Sequence, residues 1–195
     1  MKNQNLIRII EKGGVVVLPT DTLYGICASA FSKKTVEKIY EIKGRDEQKP
    51  FIILISKIED LKKFGIKLTK DQKNILEKLW PNKVSVILAC TSKKYSYLHR
   101  GTCSLAFRFP KKKSVLKILD QTGPLVAPSA NPQGLSPARN IAEAKKYFGN
   151  QIDLYISGRT VLSAMPSTIV KLYTPGLVEI LRQGNFKVPK DLISQ

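Results

Sequence analysis

The apolar positions of this chain fall into short, dense clusters separated by polar turns. Leu6, Ile9 and Ile10 recur at helical spacing and predict a helix over residues 5–12. Gly13-Gly14 should stop it, because glycine accepts the left-handed cap conformation. Val15-Val16-Val17-Leu18 is a continuous apolar run, the pattern of a strand buried on both faces, and Pro19 closes it. Val36, Ile39 and Tyr40 mark the inner face of a helix over 35–42, and residues 51–55 read as a second buried strand. Helical stretches follow at 57–64 and 69–80, the second with Thr69 as its cap. Strands are expected at 84–89, where Ser85 interrupts the apolar positions, and at 104–109; a helix is expected at 113–121 and a short strand at 125–127. Residues 141–148 read as a helix, and 152–156, 168–172 and 178–181 as strands. Helices and strands mingle throughout, and the late strands crowd together. The expected class is α/β with a mixed sheet. No linker, repeat or low-complexity segment interrupts the pattern, so residues 1–195 are expected to form one domain.

Composition narrows the functional classes. The hydrophobic content of 43% supports a real core, and no apolar run is long enough to span a bilayer. The polar–apolar alternation before Glu11 lacks the apolar stretch of a signal peptide. These features predict a soluble, cytoplasmic protein with no membrane contact. Cys27, Cys90 and Cys103 are scattered, form no CxxC pair and read as buried thiols near strands. His99, the only histidine, stands in a segment that reads as a loop; a multi-histidine metal site is impossible, and a Ser-His-Asp triad could use no other histidine. The 33 Lys+Arg outnumber the 15 Asp+Glu for a net charge of +18, which favours phosphate-bearing partners. The lysines are mostly dispersed, with one block at Lys111-Lys112-Lys113, so simple solvation of helix faces explains much of the excess.

The polar signatures between the apolar clusters carry the chemistry. Pro19-Thr20-Asp21-Thr22-Leu23-Tyr24-Gly25 follows a buried strand, where side chains can face a ligand crevice or serve a local turn. Lys43-Gly44-Arg45 with Lys49 can embrace a phosphate chain or simply suit a helix terminus. No glycine-rich phosphate cradle is present, so a nucleotide would be held by discrete cations. Ser104 and Arg108 are four apart on one strand and so share a face. An arginine on an apolar strand needs an anion, either a protein carboxylate or a ligand carboxylate or carbamate. Ser129-Ala130-Asn131, Ser167-Thr168 and Arg182-Gln183-Gly184 complete the set, each compatible with turn chemistry when taken alone.

Taken in order, these six signatures resemble the YrdC/TsaC family of threonylcarbamoyl-adenylate synthases over about residues 7–184. The resemblance implies a single YrdC-like domain, a twisted open mixed sheet flanked by helices around a positively charged cleft. It implies synthesis of threonylcarbamoyl-AMP and pyrophosphate from L-threonine, bicarbonate and ATP with Mg2+. The product would feed the threonylcarbamoyladenosine modification of tRNA through a downstream transferase complex. Position by position, Thr22, Arg108, Ser129 and Ser167 match sites for threonine and its carbamate. Lys43, Arg45, Lys49, Ser104, Asn131 and Arg182 match sites for nucleotide and phosphates, with Lys43, Arg45 and Arg182 the expected catalytic cations. No side-chain metal ligand is expected.

The chain also departs from the family pattern. Trp80-Pro81-Asn82-Lys83-Val84-Ser85 stands where W-P-G-P-x-T is usual, Leu54 replaces a long-form histidine, and the loop 132–139 is shorter than in the long form. The ending soon after Gly184 predicts no extra C-terminal domain. The rival readings are a non-catalytic, RNA-binding member of the same fold, in direct contact with RNA, and a carbamoyl-transfer enzyme of hydrogenase maturation. The second rival would need zinc motifs that this sequence lacks.

Overall fold

The computed structural model describes residues 2–161 and 165–193. The elements run α1 (Lys2–Glu11), β1 (Val16–Pro19), β2 (Tyr24–Ser29), α2 (Lys33–Lys43), β3 (Ile52–Leu54), α3 (Lys70–Leu79), β4 (Val84–Ala89), α4 (Ser96–His99), β5 (Ser104–Arg108), α5 (Lys113–Thr122), β6 (Leu125–Val126), α6 (Ile141–Phe148), β7 (Leu154–Tyr155), β8 (Thr168–Leu172) and β9 (Val178–Arg182). A 3-10 helix spans Ile58–Phe64, where the sequence pattern predicts helix. No described helix is long and apolar enough to cross a membrane.

The nine strands of the described residues join one sheet in the order β7-β1-β2-β6-β3-β5-β4-β8-β9. The sheet is mixed, as the sequence leads one to expect. β3 pairs with β5, and β4 with β8, in parallel, while β4/β5 and β8/β9 are antiparallel. Thr69 caps α3 with a reciprocal capping box, its hydroxyl accepting from Gln72 N while the Gln72 side chain accepts from Thr69 N.

The two faces of this sheet are covered differently, and that difference makes the site. One face is buried along its whole width. Val17, Ile26, Ile53, Phe107, Val86 and Val170 meet side chains such as Ile39, Phe64, Leu76 and Phe148 from α2, the 3-10 helix, α3 and α6. Among the described residues, the opposite face is covered only at one end. There Leu6 and Ile10 of α1 and Val115, Ile118 and Leu119 of α5 pack on Val16, Leu18, Cys27, Leu54 and Leu125. The strands β5, β4, β8 and β9 extend beyond this cover. Strand periodicity sends Val84, Val86 and Leu88 into the core while Ser85 and Ile87 face the other way.

Two local expectations are corrected, and one strand is added. β2 answers to no element expected from the sequence, because Gly25, Cys27, Ala28 and Ser29 carry little strand signal. Pairing with β1 on one side and β6 on the other makes it a strand. His99 is not in a loop: it ends α4, is 6% exposed, and its Nδ1 accepts from Gly101 N at 3.2 Å. Cys27 and Cys90 are buried, but Cys103 is exposed.

Candidate active site

The uncovered end of the sheet forms the floor of a cavity of about 370 Å³, a size suited to a small ligand. Ile52 of β3, Ala106 of β5 and Ile87 of β4 lie side by side in register, and Ile169 of β8 extends this apolar floor. Polar groups rim it. Thr22 comes from the β1–β2 turn, Arg45 from the segment after α2, Ser104 and Arg108 from β5, Ser129 from the loop after β6, Ser167 from just before β8, and Arg182 from the end of β9. Distant signatures meet here because the sheet order brings β5, β4, β8 and β9 together and β2 beside β6.

Each rim group is held by its surroundings. Arg108 is 4% exposed. Its Nη2 lies 3.2 Å from Asp21 Oδ1 and donates to Thr20 Oγ1 at 3.4 Å. The anion demanded by a buried arginine is therefore already present as a protein carboxylate, and Arg108 lines the cavity as well. Burial lowers the Arg108 pKa and Asp21 opposes that shift; a guanidinium nevertheless stays charged. Arg182 donates from Nη2 to Ser167 O at 2.8 Å, and burial and then the Arg108 charge lower its pKa. Arg45 lies over the Phe51 ring, 5.5 Å from its centroid, and donates from Nε to Lys49 O at 3.1 Å. Burial lowers its pKa as well. Among the described residues, neither Arg45 nor Arg182 forms an ion pair with a carboxylate. Burial pushes the Cys27 thiol up to about 12 against the pull of Arg108, which leaves it inert as a nucleophile.

Three of the residues singled out from the sequence stand outside the cavity wall. Lys43 is 3% exposed, and its Nζ donates to Ser129 O at 2.6 Å and to Asn131 O. Its ammonium is directed at backbone carbonyls, because α2 ends beneath the Ser129-Ala130-Asn131 loop. Lys49 pairs with Asp46 at 3.3 Å and is exposed. The Asn131 side chain braces its own loop: its Oδ1 accepts from Ser129 Oγ at 2.6 Å, and its Nδ2 donates to Pro132 O at 3.0 Å and Leu135 O at 2.7 Å. Thr22, Arg45, Ser104, Arg108, Ser129, Ser167 and Arg182 do come together at the cavity.

Sequence reasoning missed Thr102 at the rim and the apolar floor. It also missed Lys112, which donates to Pro19 O at 2.8 Å and Thr20 O at 3.1 Å and so ties down the β1–β2 turn. The parity of β5 held the signal for the floor. Ala106 lies between Ser104 and Arg108 on the same face, so a small residue there leaves room above it.

Two consequences for stability arise from this packing. Removing the Lys43 ammonium, as in Lys43→Met, leaves two carbonyls without their donor, at a cost of about 1–3 kcal/mol each where burial is complete. Burial pulls the Lys43 ammonium down to about 7, with the Arg45 charge acting in the same direction. The unfolded chain therefore binds this proton more tightly between about 7 and the ordinary value of 10.5. The Lys43 contribution to stability rises with pH through that window. Urea unfolding across the window should show this slope in the natural chain and its loss in Lys43→Met. Separately, a Cβ on Gly184 would meet the backbone of Ser167 (C at 2.5 Å) and Thr168 (N at 2.6 Å). Gly184→Ala should cost about 1–3 kcal/mol through this overpacking, read as a lower thermal midpoint, and should displace Ser167 from the rim.

Similarity to known proteins accords with this geometry. The Sua5/YciO/YrdC family model, described as "Telomere recombination", matches residues 8–184. The chain belongs to the Sua5/YciO/YrdC family. Its Sua5/YciO/YrdC relatives include a threonylcarbamoyl-AMP synthase of Marinobacter nauticus, 30% identical over 83% of this chain and 86% of the relative. A threonylcarbamoyl-AMP synthase of Pyrococcus abyssi is 27% identical over 84% of this chain, which spans only about half (48%) of that relative's length. The crystal structure of P. abyssi Sua5 complexed with L-threonine superposes with a TM-score of 0.84 at 27% identity, covering 94% of this chain and 54% of the other. The family's sheet thus carries the cavity described above.

Proposed function

We propose that this chain is an L-threonylcarbamoyladenylate synthase, a nucleotidyltransferase acting on L-threonine, bicarbonate and ATP. The observation that carries the reading is the meeting of Arg45, Arg108 and Arg182 with hydroxyl residues that include Thr22, Ser104, Ser129 and Ser167 around one cavity with an apolar floor. The names of the Marinobacter and Pyrococcus relatives, and the threonine complex of P. abyssi Sua5, support it.

In the proposed reaction the threonine amine and bicarbonate condense to a carbamate with loss of water. A carbamate oxygen then attacks the α-phosphorus of ATP; the bond to the β-phosphate oxygen breaks and pyrophosphate leaves. Negative charge builds on phosphoryl oxygens, so fixed cations supply the stabilisation and no protein nucleophile is needed. Arg45 and Arg182, which have no ion-pair partners among the described residues, meet the phosphates. Arg108 takes the threonine carboxylate or the carbamate beside Thr22, Ser129 and Ser167. Ser104 stands beside the nucleotide. Lys43 and Asn131 act through the loop that they brace, and Lys49 contributes charge from outside the wall. Magnesium enters on the ATP phosphates as part of the substrate. The product would pass to a tRNA-modifying transferase.

The test is pyrophosphate release from the purified chain with ATP and magnesium. Release should require both threonine and bicarbonate. Release that ignores threonine, or no release from folded protein, would remove this reading; in the second case RNA titrations across a salt series would follow.

A further inference from the structure

The three cavity arginines differ in one respect. Arg45 and Arg182 have no ion-pair partner among the described residues, whereas Arg108 faces Asp21. The two side chains of the Arg108–Asp21 pair are each only 5% exposed, so water screens their attraction little. The pair is also incompletely bonded. Arg108 Nε and both Asp21 carboxylate oxygens are buried without a hydrogen-bond partner, although Oδ1 lies at ion-pair distance. Native structures seldom leave buried polar groups in this state without a reason.

An isolated buried arginine would attract the most highly charged ligand available, which in this cavity is a polyphosphate. Pairing with Asp21 offsets part of the charge of Arg108 and leaves its remaining donors in place. Such a group recognises by hydrogen-bond geometry and suits one planar carboxylate. The cavity is therefore polarised, with Arg45 and Arg182 unpaired among the described residues and a carboxylate-paired guanidinium at Arg108.

We propose that Asp21 is a positioning and specificity-determining residue: it neutralises and orients Arg108, reserving that subsite for a carboxylate and leaving polyphosphate to Arg45 and Arg182. The inference rests on the reading of the cavity as a joint site for an amino acid and a nucleotide. Discrimination then comes from a repulsive element as well as an attractive one.

The experiment is calorimetric titration of the full chain with inorganic pyrophosphate and with L-threonine. Asp21→Asn keeps the shape and removes the charge, so pyrophosphate should bind at least about fivefold more tightly, and it should become a competitor of threonine. Asp21→Glu keeps the charge and should behave as the natural chain does. Unchanged pyrophosphate affinity in Asp21→Asn, or no pyrophosphate binding by either protein, overturns the proposal. Should Asp21→Asn fail to fold, the paired variant Asp21→Asn/Arg108→Gln decides. It replaces a neutralised ion pair by an uncharged one, and should keep pyrophosphate affinity within about twofold while losing threonine. An approximately tenfold loss of pyrophosphate affinity would mean that Arg108 acts with its full charge and would overturn the proposal. The pyrophosphate results judge Asp21 alone. A natural chain that binds pyrophosphate but never threonine would instead remove the synthase reading.

Discussion

Arg45→Ala is expected to lower threonine-dependent pyrophosphate release by about 100-fold, the scale for loss of one preorganised group facing developing charge. Stability should hardly move. Arg45 is half-buried, and its protein contacts are the Phe51 ring and the Lys49 carbonyl. A cation–π contact of a half-buried arginine is worth about 1 kcal/mol. Thermal unfolding and initial rates measured on the same preparation separate the two effects. A rate within about twofold of the natural chain at saturating ATP would exclude Arg45 from the chemical step.

Arg108→Ala is expected to act in the opposite sense, chiefly on the fold. It leaves the Asp21 carboxylate buried opposite an empty space, and breaking a buried pair in this way costs about 3–5 kcal/mol. That is a large part of the stability of a domain of this size. Urea unfolding should show the loss, and adding Asp21→Asn should return much of it, since no uncompensated charge then remains buried. If the two substitutions simply add, Asp21 and Arg108 are not energetically coupled.

The outer frame of this protein was legible from residue order. Apolar runs such as Val15–Leu18 and alternation across Val84–Ala89 located most strands. Thr69 marked a helix start, and six polar signatures pointed to one family. β2 stayed hidden because its small residues have weak intrinsic preference and gain strand geometry only from neighbours on both sides. The floor of the cavity stayed hidden as well, since Ile52, Ile87, Ala106 and Ile169 look like any core residues until the missing cover over β5, β4 and β8 is seen.

Local chemistry determined which groups this chain possesses: its fixed cations, its hydroxyls and its single histidine. Tertiary structure alone decided where they act. It turned Lys43 toward Ser129 and Asn131 carbonyls, seated Asp21 against Arg108, and left Arg45 and Arg182 without ion-pair partners among the described residues. Helix and strand patterns depend on neighbours along the chain. The partner of a charge depends on burial and on contacts across strands far apart in sequence, and these arise only when the sheet assembles.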